Sequence, residues 1–106
     1  MARYLYEVGL KPEAFAALIN NPQDRAEVLG PMFESMGGKL EEYYCAVGHS
    51  IVFAIAQLPD EVSAHALTAA VLAGGAVTSS KVTAILTSAE AIEAFKKAAK
   101  AGYSPP

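Results

Sequence analysis

Apolar and polar positions along this chain change period several times, and each change marks an element. Arg3 to Val8 alternates, with Tyr4, Tyr6 and Val8 on one face, and predicts a strand. Lys11, Pro12 and Glu13 then open a helix whose stripe is Phe15, Leu18 and Ile19. Asn20, Asn21 and Pro22 interrupt it. A second helical segment follows, with Asn21 as N-cap, Pro22 at N1, Asp24 at N3, and a stripe of Val28, Leu29, Met32, Phe33 and Met36. Pro31 lies inside that stripe and predicts a kink near Gly30. Gly37 and Gly38 end the segment.

From Lys39 to Leu58 the pattern is that of a hairpin. Its arms are Lys39 to Val47 and Ser50 to Leu58, turning at Gly48 and His49. Ile51 to Ala56 is apolar at every position, the mark of a strand buried on both faces. Asp60 caps a helix from Glu61 to about Ala73 that is apolar almost all round, with Ser63, His65 and Thr68 its only polar side chains after the first turn. Such a helix is expected to be buried on more than one side, which makes His65 a buried, neutral imidazole bonded to a neighbour. Gly74 and Gly75 stop it. Val77 to Leu86 is the last strand, with Val82, Ala84 and Leu86 on one face and Ser79, Lys81 and Thr83 on the other. Thr87 and Glu90 form a capping box for a C-terminal helix, ended by Gly102. Its Ala91, Ile92, Phe95 and Ala98 or Ala99 are expected to face inward, with Glu93 and Lys97 paired on the wet side.

The order β-α-β-β-α-β plus a terminal helix gives the fold class: α+β, a ferredoxin-like plan with a four-stranded antiparallel sheet and an extra C-terminal helix. The whole chain, 1–106, reads as one domain. In this plan both main helices cover one sheet face and leave the other bare. The two-sided strand Ile51 to Ala56 would put that bare apolar face in water, so the sheet face is expected to be covered by homo-oligomerisation.

Composition sharpens this. Hydrophobic residues make up 53% of the chain and charged residues 18%, more apolar than a small domain can hide by itself. The net charge is −3, and the only basic cluster is Lys96, Lys97 and Lys100, so the electrostatic footprint of a nucleic-acid binder is missing. Cys45 is the only cysteine, which rules out an internal disulfide and a cysteine-based zinc cage. Ala66 to Val77, the apolar heart of the longest uncharged run, is far short of the ~20 residues of a membrane helix. The start of the chain lacks a signal-peptide pattern. A soluble, cytoplasmic protein without membrane or nucleic-acid partners is expected.

Ala2 to Val8, Ala17 to Ile19 with Asn21 to Arg25, Gly37 to Leu40, Leu58 to Asp60, Gly74 to Val77, Leu86 with Thr87, and Ala101 to Tyr103 with Pro105 and Pro106 form a set of segments. Together they resemble the GYD-domain proteins of the dimeric α/β-barrel group. The family's hairpin turn has the form Gly-x-Tyr-Asp. Here Gly48 is kept, while Ser50 and Ile51 stand where Tyr and Asp would be. The resemblance implies the ferredoxin-like fold and a small-oligomer habit, and brings no particular reaction with it.

The residues able to carry chemistry are few. Cys45 and His49 flank the hairpin end and His65 lies in the apolar helix, too sparse a set for a metal site, so neither metal nor cofactor is expected. No nucleophile-elbow or phosphate-loop spacing occurs. The candidate ligand-binding set is Tyr4, Tyr6, Tyr44, His49, His65 and Lys81, with Tyr43 beside it. Tyrosine offers an apolar body with a polar tip, and Lys81 a cation for a carboxylate or enolate. The plainer alternative is that the tyrosines pack the sheet and Lys81 protects an edge strand. Two functions stay open. One is a non-catalytic binding or sensor module, an oligomer holding a small apolar or carboxylate ligand in a cavity at the sheet and subunit interface. The other is a cofactor-free enzyme, an isomerase or oxygenase of the kind found on dimeric α/β barrels.

Overall fold

A computed structural model describes residues 1–106. Its elements are β1 (Ala2–Leu10), α1 (Pro12–Asn20), α2 (Arg25–Ser35), β2 (Lys39–Cys45), β3 (Ile51–Leu58), α3 (Glu61–Ala73), β4 (Val77–Ile85) and α4 (Ser88–Ala98). The four strands form an antiparallel sheet in the order β2-β3-β1-β4, the ferredoxin-like arrangement with β1 and β3 central.

Side-chain alternation sorts the sheet into two unlike faces. Tyr4, Tyr6, Val52, Ala54, Ala56 and Leu58 point toward α2 and α3, where Phe33, Ala64 and Leu67 complete the core. Leu58 is fully buried and Leu67 nearly so. Phe33 meets Tyr6 edge-to-face, with ring centroids 5.8 Å apart at 81°. The Tyr6 hydroxyl donates to the Ala64 carbonyl at 2.9 Å, which fastens α3 to β1. At the start of β2 the backbone runs tight against β3. A Cβ on Gly38 would collide with the Gln57 carbonyl and lie 2.7 Å from Leu58 Cδ2, so only glycine fits there.

Two of the expected caps are in place. Asp60 accepts from the Ser63 amide at 2.7 Å, and Thr87 and Glu90 make the reciprocal capping box of α4. The cap of α2 differs from expectation. Asp24, not Asn21, is the N-cap, accepting from the Ala26 amide at 2.9 Å, and the helix starts at Arg25. Asn21 instead closes α1, its amide donating to Ala17. Both residues are competent caps, and Pro22 to Asp24 links the two helices where the sequence pattern has the second helix already begun at Pro22. Pro31 lies within α2 as expected.

Two helices depart from the expected burial. On α3, Ala64, Leu67 and Thr68 are buried, but Val62 is 80% exposed and His65 is exposed as well. The expectation of a buried His65 is therefore corrected: within the chain, α3 covers the sheet with one side only. On α4 no residue is buried, Ile92 is 53% and Phe95 69% exposed, and the expected inward stripe meets no core. The pair formed on its polar side is Lys96 with Glu93 at 3.4 Å rather than Glu93 with Lys97. Likewise Phe15 and Ile19 of α1 are exposed, and Ala14 and Leu18 are the half-buried positions. No helix is long and apolar enough to cross a membrane.

Candidate functional site

The face of the sheet turned away from the helices carries Leu5, Ile51, Phe53 and Ile55, each half-buried. Register sets the rows. Tyr44 pairs with Phe53, Phe53 with Glu7, and Glu7 with Lys81, so these side chains form one line across the sheet. Lys81 Nζ lies 3.9 Å from Glu7 Oε2, and the Tyr44 hydroxyl donates to Glu42. That bond, made with the neutral phenol, holds the Tyr44 pKa above its ordinary value. One end of the face is polar: Arg3 donates to both oxygens of Glu41, at 2.6 and 3.2 Å, and Gln57 adds a bond at 3.1 Å. The Arg3 guanidinium, followed by the Gln57 amide, holds the Glu41 carboxyl below its usual range.

On the opposite, helix-covered face lies a cavity of about 540 Å³. It occupies the end of the sheet where β1 runs out at Leu10 and β4 begins at Val77. α1 forms its roof, the start of α2 one flank, and the end of α3 the other. Its origin can be read from residue size. Ala14 and Ala17 of α1 line it together with Ala70 of α3 and Gly74 just past that helix, and these small residues leave the space unfilled. Twelve of the sixteen lining residues are hydrophobic, and Arg25 is the only charged one. A second lobe of about 390 Å³ adjoins it toward the hairpin and adds Phe15, Asp24, Cys45, His49 and Ile51. Leu10, Leu18, Gln23, Arg25, Tyr43 and Val52 belong to both lobes.

Tyr43 is the polar tip in this apolar setting. Burial pushes its hydroxyl pKa up, Cys45 adds to the rise, and the Arg25 charge opposes it. The hydroxyl therefore stays protonated and makes no hydrogen bond within the chain. Burial, with a smaller part from Tyr4, pushes Tyr6 up to about 12, but its proton is already given to Ala64.

The structure divides the sequence-derived set. Tyr4 and Tyr6 are buried on the helix side as core residues. Tyr4 also borders a small groove of about 210 Å³ with His65, Glu61 and Val82 between α3 and β4. Tyr44 and Lys81 lie on the open face, and His49 in the hairpin turn lines the second lobe. No three His, Cys, Asp or Glu side chains gather as a metal-ligand group. The expected cavity lies between sheet and subunit; the cavity found within the chain is on the other face, because alanines thin the helix layer there. Arg25 and Gln23 line both lobes and lie outside the set the sequence suggests. The signal for Arg25 was available: a cation in the first turn of a helix works against the helix dipole and calls for another reason to be there.

A family model described as the GYD domain matches residues 4–95. No curated protein matches the chain.

Proposed function

The chain belongs to the GYD-domain family, and from that premise we propose that it is a cytoplasmic, homo-oligomeric module that binds a small ligand. One observation carries this reading: the half-open apolar cavity of about 540 Å³ between the helices and the sheet. Close-packed interiors leave few voids larger than a water, so an opening of this size falls among small-molecule sites rather than packing defects. The oligomer follows from the other face, where Leu5, Phe53 and Ile55 have no covering layer within the chain. A cofactor-free isomerase or oxygenase is the alternative, and it draws on Tyr43, Cys45 and His49 sharing the second lobe.

The cavity reading is tested by filling it. Ala70→Leu adds bulk at a helical position that suits leucine and lines the cavity. A neutral apolar fluorophore, N-phenyl-1-naphthylamine, is expected to bind the wild type and to lose at least about tenfold in affinity for the variant, the equivalent of ~1.4 kcal/mol. Equal binding to both proteins, or none to the wild type, would remove the cavity as the site.

A further inference from the structure

Resting on the cavity as a binding site, we infer that its ligand is a small amphiphilic carboxylate, whose apolar body fills the space and whose carboxylate is held by Arg25 and the Tyr43 hydroxyl. Arg25 is the only charge lining the larger lobe, and it is half-buried there. Its single hydrogen bond within the chain is from Nη1 to Gln23 Oε1 at 2.6 Å. It has no carboxylate within ion-pair distance, since the ion pairs of the chain are those of Arg3, Lys81 and Lys96. Asp24, its neighbour in sequence and the only acid of the second lobe, caps α2 by accepting from the Ala26 amide at Oδ1 and makes no ion pair with Arg25. A guanidinium carries five N–H donors, so most of those of Arg25 have no partner in the protein.

Local stability does not account for the residue. Arg25 is the first residue of α2, where the helix dipole is positive and a cation is disfavoured. The same geometry favours an anion, because the guanidinium and the end of α2 add their positive potentials at one edge of an apolar cavity. Tyr43 lines both lobes with a protonated hydroxyl that has no acceptor. A planar fork and one further donor match the two oxygens of a carboxylate. A single cation balances a single negative charge, whereas a doubly charged phosphate would leave charge uncompensated beside an apolar wall. Asn21 and Gln23 aside, the remaining lining is apolar, which calls for an aliphatic or aromatic body.

The test is calorimetric titration with decanoate, decanamide and decyl phosphate, each below its aggregation threshold. The wild type is expected to bind decanoate at least about tenfold tighter than decanamide, the margin of a charge-assisted pair. Arg25→Gln should bring decanoate down to the decanamide level, and Arg25→Lys should restore part of the margin. Equal affinity for decanoate and decanamide in the wild type, or a margin that survives Arg25→Gln, would overturn the carboxylate assignment while leaving the cavity standing as an apolar site. Tighter binding of decyl phosphate than of decanoate would overturn it in favour of a phosphate ligand. Failure of all three to bind, together with identical behaviour of Ala70→Leu, would take the cavity reading down with it.

Discussion

Phe33→Ala is expected to cost about 3–5 kcal/mol of folding stability, the range for deleting a buried aromatic ring. Phe33 is 4% exposed and closes the core from the α2 side. Its ring is the edge-to-face partner of Tyr6, the residue that also fastens α3 through Ala64. Removing it opens a hole in the cluster that joins α2, β1 and α3, and the partly buried Leu29, Met32 and Met36 around that cluster already have packing of their own to keep. Against a total stability of roughly 5–15 kcal/mol for a domain, this is a large fraction. The measurement is a denaturant or thermal melt. The midpoint is expected to fall by at least about 12 °C, taking roughly 4 °C per kcal/mol. A fall of only a few degrees would show that the interior is looser than its geometry implies.

The second large effect is on assembly. Phe53→Lys places a charge in the middle of the open sheet face, directly in line with Glu7 and Tyr44. Within a lone chain the change is mild. Phe53 is only half-buried there, and the Glu7 carboxylate lies on the neighbouring strand. Across a dry sheet-to-sheet interface an unpaired lysine is far more costly. The variant is therefore expected to keep its melting behaviour at low concentration while light scattering reports an 11.1 kDa particle. Wild-type protein at micromolar concentration should scatter as a multiple of that mass. A wild type that scatters as one chain, or a variant that assembles like the wild type, would remove the sheet face as the interface.

Much of the fold was legible because it is written locally. The alternation of Tyr4, Tyr6 and Val8, the uninterrupted run from Ile51 to Ala56, and the caps at Asp60 and Thr87 each name an element without reference to the rest of the chain. The errors fall where a side chain's neighbour decides the matter. Alanines on nearly every side of α3 give no period, so the pattern could not show that Val62 and His65 face outward. Ile92 and Phe95 are spaced as a helical stripe, but what lies opposite a stripe is not a property of that segment, and here both are exposed. The cavity was hidden for the same reason. Ala14, Ala17 and Ala70 are good helix formers wherever they stand, and only their coming together at the sheet end makes a space. Arg25 alone left a trace, as a cation at the wrong end of a helix.

The exposed stripe of α4 has a consequence for how the molecule opens. The sheet strands are locked by paired registers along their length, whereas α4 is an eleven-residue helix with no buried residue, held by its own capping box, its i,i+3 pair and one long ion pair from Arg3 of β1 to Glu90 at 4.0 Å. A helix of that length is marginal in water without a surface to lie on. In a lone chain, then, the amides of α4 should exchange with solvent through local opening at a free energy near zero, while those of β1 and β3 wait for global unfolding. The sheet and α4 thus keep separate clocks. Any slowing of the α4 clock measures, residue by residue, what a neighbour laid against Ile92 and Phe95 contributes.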